Sequence, residues 1–235
     1  MSDITLYSWP TPNGIKASIA LEELGLPYKT VPMNIGTNIQ KEDWFLKINP
    51  NGRIPAITDG SQRVFESGSI LLYLADKYDT DRKISYAPGT PEYIEQLSWI
   101  MFQTGGIGPM QGQANHFRLF ANTRSDYGIK RYIDETKRLF SVLEIRLKES
   151  PWLAGDKYTI ADIANYSWVQ MAPGALEIDL AEFPAVKKWV EEIKKRGAAQ
   201  KGANIPDSGR TEEARLEGFK NARAKIDAMK NTDLH

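Results

Sequence analysis

The sequence predicts an α/β unit followed by an all-helical unit, and three observations carry that prediction. Strand-like and helix-like segments alternate over residues 4–78, a polar stretch without period follows at 79–89, and beyond it each periodic segment has helical spacing. The order of the first part, β-α-β-α-β-β-α, fits a mixed sheet with helices packed on it.

Ile4, Thr5, Leu6 and Tyr7 make a short β-prone run, closed by Pro10 and Pro12. Residues 14–24 carry Ile15/Ile19 and Ala20/Leu24 at i,i+4, and Gly25 stops the helix. Residues 28–31 read as a second strand, closed by Pro32. A short helix is expected over 41–48, ended by the turn sequence Asn49-Pro50-Asn51-Gly52. Residues 55–58 and 63–65 read as strands around an Asp59-Gly60 hairpin turn, and 67–78 returns to helical spacing through Ile70, Leu71 and Leu74. Past the linker, 92–118 is long and helical, but Gly105-Gly106-Ile107-Gly108-Pro109 is expected to bend or break it. In 126–148, Ile129, Ile133, Thr136, Phe140, Leu143 and Leu147 fall at steps of 4, 3, 4, 3 and 4. Thr159 reads as the N-cap of the next helix, with Asp162 three positions on. Residues 184–196 form a helix with Pro at its first turn. Residues 200–209 read as loose, and 211–229 as a charged helix with Leu216, Phe219, Ala222 and Ile226 on one stripe. The chain accordingly divides into 1–82, 90–200 and a tail, 201–235, with one helix.

Composition narrows the function. The 235 residues suffice for two modest cores. Thirty basic and 30 acidic side chains cancel, which leaves no electrostatic footprint for nucleic acid or an anionic membrane. No apolar run approaches the roughly 20 residues a bilayer span needs. The first residues also lack a basic region followed by an apolar core, so a cytoplasmic location is expected. The absence of cysteine removes disulfides, zinc–thiolate sites and cysteine nucleophiles together. The two histidines, His116 and His235, offer little to a two-histidine metal site or a Ser-His-Asp triad, and no metal is expected. Any sulfur chemistry must use a sulfur that arrives with the substrate.

Three short motifs remain. Thr11-Pro12-Asn13-Gly14 lies between the first strand and helix, where backbone N–H groups and the helix dipole favour negative charge. Arg53-Ile54-Pro55 follows a Gly-containing turn; a cis bond there would turn the Ile54 backbone outward to pair with an extended peptide. Phe65-Glu66-Ser67-Gly68-Ser69 puts a carboxylate beside exposed helix N–H groups, which suits the ammonium and carboxylate of an amino-acid head group. Taken singly, each has a plain structural explanation: Asn13 as a helix cap, Pro55 as a strand-entry proline, Ser67 as a cap. Their joint position at strand ends and helix starts of one small unit favours a binding site.

On these residues the chain resembles the cytosolic glutathione transferases. The resemblance runs through Pro55, Glu66-Ser67, the linker, and Thr159-Ile160-Ala161-Asp162 after Trp152-Leu153-Ala154-Gly155. Thr11-Pro12-Asn13-Gly14 and Gly105-Gly106-Ile107-Gly108-Pro109-Met110 resemble the nu class in particular. That class includes bacterial glutathione-dependent disulfide-bond oxidoreductases and is similar to the fungal relatives of the yeast prion-forming nitrogen regulator. The match covers roughly residues 3–200. It implies a thioredoxin-like glutathione-binding half, an all-helical second half, glutathione as co-substrate and a homodimer. It further implies that Asn13 hydrogen-bonds the glutathione sulfur with Thr11 beside it, and that Gln40 lies near the glycyl end. Ile54 would pair with the cysteinyl backbone, with Arg53 before it and a cis Pro55 after it, and Glu66 and Ser67 would bind the γ-glutamyl head. Arg131 would reach glutathione across the dimer interface; it lies off the apolar stripe, two residues from both Ile129 and Ile133.

Tyr7 is read as packing within its strand, and Ser8 as a weaker candidate than Asn13. Without cysteine the protein cannot itself form a mixed disulfide with glutathione. Asn13 and Thr11 are the expected catalytic residues, stabilising the glutathione thiolate or disulfide, and the implied reaction is exchange with a small disulfide or attack on an electrophile. The acceptor site is expected between the halves, with Trp9, His116, Phe117, Trp168 and Met171 as candidates to line it, although core packing accounts for each equally well. Two alternatives are a non-catalytic regulator or ligand-binding protein on the same scaffold, and a structural assembly module like the transferase-like part of translation elongation complexes. The lack of a long Asn/Gln-rich leader weighs against the first, and the intact set Asn13, Glu66 and Ser67 against the second.

Overall fold

A computed structural model describes residues 2–233; His235 lies outside them. Strand β1 (Ile4–Ser8) buries Ile4 and Leu6 on one face and turns Tyr7 to the other, where its ring meets Trp44 and Phe45 at 6.2 and 5.9 Å. Helix α1 (Gly14–Glu23) carries the chain to β2 (Tyr28–Pro32), which pairs parallel with β1, Ile4 opposite Tyr28. Two single 3-10 turns and the short α2 (Asp43–Leu46) lead to β3 (Ala56–Asp59), antiparallel to β1 with Leu6 opposite Ile57. A tight turn through Gly60, at φ +57°, gives β4 (Gln62–Phe65), and α3 (Ser67–Tyr78) follows. The sheet order is β2-β1-β3-β4, the expected mixed sheet, and it belongs to a thioredoxin-like half. The linker is pinned at its start: buried Asp79 accepts from Lys83 N (2.7 Å), Ile84 N (2.9 Å) and Ser85 Oγ (2.7 Å).

The second half is helical. Helix α4 (Pro91–Phe102), capped by Thr90, does not break at the glycines. It widens into a π-turn over Gln103–Ile107 and continues as α5 (Gly108–Asn115) and a second π-turn, His116–Phe120. The expected break is thus a local change of winding. Pro109 falls in the turn directly after the widening, where the hydrogen-bond ladder is re-registered, and Gly105 and Gly106 relieve crowding within the widened turn itself. Helix α6 (Asp126–Glu149) follows, with Ser125 as its cap.

Helix α7 (Ile160–Val169) is buried at every position and packs on α1 and α3, so one core runs through both halves. Its predicted start holds: Ala161 N donates to Thr159 Oγ1 (3.2 Å) and Thr159 N to Asp162 Oδ2 (2.8 Å). Short α8 (Ala172–Leu176) leads to α9 (Pro184–Lys194). The segment expected to be loose begins within a helix, α10 (Gly197–Gly202), laid across α1. A side chain at Gly202 would meet the Ile19 backbone at 2.7 Å, and Ser18 Oγ donates to Gly202 O at 2.6 Å. Sequence periodicity misses α10 because a close backbone approach, not an apolar stripe, holds it. Helix α11 (Glu212–Asp227) packs on α8 and on the His116–Phe120 turn.

Asp59 closes the sheet onto α3. It accepts from Tyr73 Oη (2.8 Å), Lys77 Nζ (2.6 Å) and the Tyr78 hydroxyl, and from Asp3 N (3.4 Å). Burial alone would raise its carboxyl pKa, but these donors hold it well below the usual carboxylate range. A depressed acid stabilises the fold fully above its unfolded value of about 3.9, and that contribution fades as pH falls below it. Asp59→Asn is therefore expected to cost about 1–3 kcal/mol at neutral pH. In thermal melts across pH, the gap to wild type should close below about pH 4; a gap constant with pH would refute the assignment.

Candidate active site

The site begins where β1 ends beneath α1. Ser8 is fully buried, and Gly14 sits so close to the preceding turn that a side chain there would meet Trp9 O at 1.9 Å. Thr11 caps the helix: its Oγ1 accepts from Gly14 N (3.1 Å), and its carbonyl from Ile15 N (3.0 Å). Asn13 occupies the N-cap position but makes no capping bond, so the structure sets aside its simple capping explanation. Its Oδ1 instead accepts from Lys16 Nζ (3.0 Å) and from Trp168 Nε1 of α7 (2.9 Å).

Ser67 is likewise not the N-cap of α3. It is the first helical residue, and its Oγ accepts from Lys16 Nζ at 3.1 Å. The N-cap position belongs to Glu66, at φ +68° and ψ 122°, a backbone conformation costly for a residue with a side chain. Glu66 Oε1 accepts from Asn51 Nδ2 at 3.4 Å. Lys16 completes its contacts on Gln103 Oε1 at 2.6 Å, in the first widened turn. Burial lowers the Lys16 pKa to about 7, against the opposing field of Glu66.

These groups border a cavity of about 630 Å³ between the halves. Asn13, Lys16, Arg53, Glu66 and Ser67 line it from the α/β side, and Gln103, His116 and Trp168 are among those facing them. Of the other predicted residues, Thr11 is engaged as a cap and Gln40 lies in the 3-10 turn Ile39–Lys41 with a buried, unpartnered Oε1. The Ile54-Pro55 bond is cis, and no hydrogen bond to Ile54 N–H or C=O occurs among the described residues. Trp9 and Phe117 do not line the cavity; Phe117 stacks on Tyr132 at 5.6 Å, and half-buried Met171 packs on the core. Arg131 is exposed on α6, away from its own chain's cavity. A second hollow, of about 580 Å³, lies beside Tyr28 and Pro206; there Glu22 takes Tyr28 Oη (2.6 Å) and Lys201 Nζ (2.7 Å), and Asp207 takes the backbone N–H of Gly209 (2.8 Å).

Motif reading missed Lys16 and Gln103. The trace for Lys16 is visible in retrospect, since 14–21 is buried throughout and holds a single charged residue, three positions after Asn13. Nothing local distinguishes Gln103.

The family descriptions "Glutathione S-transferase, N-terminal domain" and "Glutathione S-transferase, C-terminal domain" match residues 2–76 and 122–196. The chain is 46% identical over 202 residues to the disulfide-bond oxidoreductase YfcG of Escherichia coli, covering 83% of this chain and 92% of that protein. A solved glutathione transferase homolog from Lodderomyces elongisporus, with two GSH per subunit, superposes with TM-score 0.84 at 44% identity, covering 88% of this chain and 100% of that one. The glutathione transferase URE2P6 of Phanerochaete chrysosporium, in complex with oxidized glutathione, gives TM-score 0.82 at 38% identity, covering 96% and 98%.

The strained Glu66 backbone is separable from its carboxylate. Glu66→Gly and Glu66→Ala both remove the carboxylate, but only glycine takes the positive φ freely, so the Gly variant should be the more stable by about 1 kcal/mol. Equal melting temperatures, or a lower one for Gly, would show that the conformation is not strained.

Proposed function

The chain belongs to the glutathione S-transferase family, and from that premise we propose that it is an enzyme that ionises glutathione at Asn13 and uses the thiolate for thiol–disulfide exchange. The observation that carries this reading is one cavity bordered by Asn13 at a helix start and by Glu66 and Ser67 at another. The γ-glutamyl ammonium suits the Glu66 carboxylate, and its carboxylate suits the Ser67 hydroxyl and the first N–H groups of α3. Ile54, directly before cis Pro55, offers its backbone to the cysteinyl unit, Gln40 serves the glycyl end, Arg53 borders the same cavity, and Thr11 fixes the loop that carries Asn13.

A thiol of pKa about 8.5 is only a few per cent ionised at neutral pH. Lowering it by about two units requires roughly 2.7 kcal/mol of preferential thiolate stabilisation. A charge-assisted hydrogen bond supplies about 1.5–3 kcal/mol and a helix N-terminus about 0.3–1 more, so Asn13 on α1 suffices without a general base. The thiolate attacks one sulfur of a small disulfide and expels the other as thiolate, forming a mixed disulfide. A second glutathione then attacks that bond, releasing the second thiol and glutathione disulfide. Two glutathiones supply the two electrons, and the protein, lacking cysteine, supplies none. The cavity volume and the neighbours bound to two glutathiones or to oxidized glutathione support this choice over conjugation to an electrophile. The open space beyond the sulfur, near His116 and Trp168, is where the acceptor would sit.

A homodimer fits the exposed apolar side chains Ile94 and Met101 on α4 and Tyr127 and Ile145 on α6, and gives Arg131 a partner's glutathione to reach. The reaction needs a reduced glutathione pool, which suits the cytoplasm. Among the described residues no helix is long and apolar enough to cross a membrane.

Titration calorimetry with reduced and oxidised glutathione, followed by turnover on a panel of disulfides, tests the reading. Asn13→Ala is expected to lower kcat/KM by about 10- to 100-fold, the equivalent of one charge-assisted hydrogen bond. Full activity would remove Asn13 from the mechanism, and failure of both forms of glutathione to bind would remove the mechanism itself.

A further inference from the structure

Lys16 is the buried charged group that the mechanism leaves unused. It is 1% exposed, and its three protons go to three neutral oxygens, those of Asn13, Ser67 and Gln103. All three side chains also border the cavity. Each is two-way: an amide or a hydroxyl can offer a ligand either a donor or an acceptor. Lys16 in its protonated form is not, because an ammonium only donates.

We infer that Lys16 is a positioning residue, which draws the oxygens of Asn13, Ser67 and Gln103 inward so that their N–H and O–H groups face the cavity as donors for the anionic atoms of glutathione. The inference rests on the glutathione reading above. At Asn13 the orientation is doubly fixed. Lys16 Nζ and Trp168 Nε1, at 3.0 and 2.9 Å, are both donors, so a reversed amide would set its own NH2 against two N–H groups. Asn13 Nδ2 is left for the sulfur. Ser67, accepting from Lys16, keeps its own proton for the γ-glutamyl carboxylate. Gln103, held by its oxygen, carries its Nε2 over Gly108, 2.6 Å from where a side chain there would begin.

The same ammonium supplies charge. No carboxylate touches it among the described residues; Glu66 acts on it through its field alone. Arg53 and His116 are the other charged or titratable side chains on the cavity. A buried cation bonded only to neutral groups, with Glu66 acting from beyond contact, is only partly compensated, and a thiolate one amide away stabilises it further. A lysine at this point therefore favours the ionised sulfur both through Asn13 and directly.

The test reads the thiol pKa of bound glutathione by ultraviolet thiolate absorbance, in wild type and in Lys16→Met, which keeps the side-chain length and loses the charge. The expected shift is upward by about one unit, with kcat at neutral pH lowered about threefold as the thiolate fraction falls. Affinity for S-methylglutathione, whose sulfur cannot ionise, should fall less than about tenfold. A folded Lys16→Met that binds S-methylglutathione and leaves the thiol pKa unchanged overturns the inference. Trp168→Phe removes the second donor to Asn13 but keeps the charge, and should raise the thiol pKa less than Lys16→Met; a larger rise overturns the role of the ammonium. If Lys16→Met does not fold, nitrogen NMR of the unmodified protein decides: the Lys16 ammonium should stay protonated to higher pH with glutathione bound than with S-methylglutathione, and identical titrations overturn the inference. Wild type that binds neither compound removes the glutathione reading as well, whereas binding with an unshifted Lys16→Met thiol pKa removes this inference alone.

Discussion

A buried ammonium must find an acceptor for every proton, and that requirement ties together the parts of this protein that form the cavity. Lys16 on α1 reaches the turn before its own helix, the first residue of α3 and the first widened turn of the helical half. Leaving one of those bonds unmade would cost about 1–3 kcal/mol or more for a charged group. The three segments are 3, 51 and 87 residues away in sequence, yet their side-chain oxygens converge within 3.1 Å of one nitrogen. Trp168 adds a fourth segment by donating to the same Asn13 oxygen. The geometry of the cavity is in this sense set from underneath.

Packing makes that convergence possible. Helix α7, buried all round, is the element on which α1, α3 and α4 meet, and the linker is fastened to it by Ile160 N donating to Ile84 O at 2.9 Å. Gly14 and Gly202 let α1 approach the β1 turn at one end and α10 along its side more closely than any side chain permits. The two halves therefore have no loose joint at the cavity. Their relation is fixed by a continuous apolar core and by polar groups that have no water to fall back on.

Much of this was legible from local chemistry. The alternation of elements, the helix start at Thr159 and the hairpin at Gly60 all rest on residue types whose preferences act over a few positions, whereas the cis Ile54-Pro55 bond was locally open and followed only from the family resemblance. The convergence of Asn13, Glu66 and Ser67 was legible only as a shared placement at strand ends. What escaped reading was set at long range. Thr11 takes the cap because Asn13 is drawn away by Lys16 and Trp168, 155 residues distant in the second case. Ser67 leaves its capping role for the same lysine. The glycines at 105 and 106 suggested a break, yet a widened turn absorbed the proline beyond them, since helical residues on both sides were already anchored in the core.

The far wall of the cavity is set differently. His116 opens the second widened turn, and α11 packs on that turn. Arg118, two residues on, pairs with Asp227 of α11 at 2.7 Å and with Glu177 at 3.4 Å, while Arg223 of α11 donates to Gly174 O at 2.6 Å. The arginine side chains are only 15% and 13% exposed, but their carboxylate partners are more than half exposed, so the ion pairs themselves add little and the arginines hold chiefly by packing and by the bond to Gly174 O. A charged helix, α11, thereby braces the wall that carries His116. None of its contacts passes through Asn13, Lys16 or Ser67. The His116 side of the cavity is thus braced by α11, while the Asn13 side is held by Lys16 and Trp168, and Trp168, which borders the cavity and donates to Asn13, joins the two.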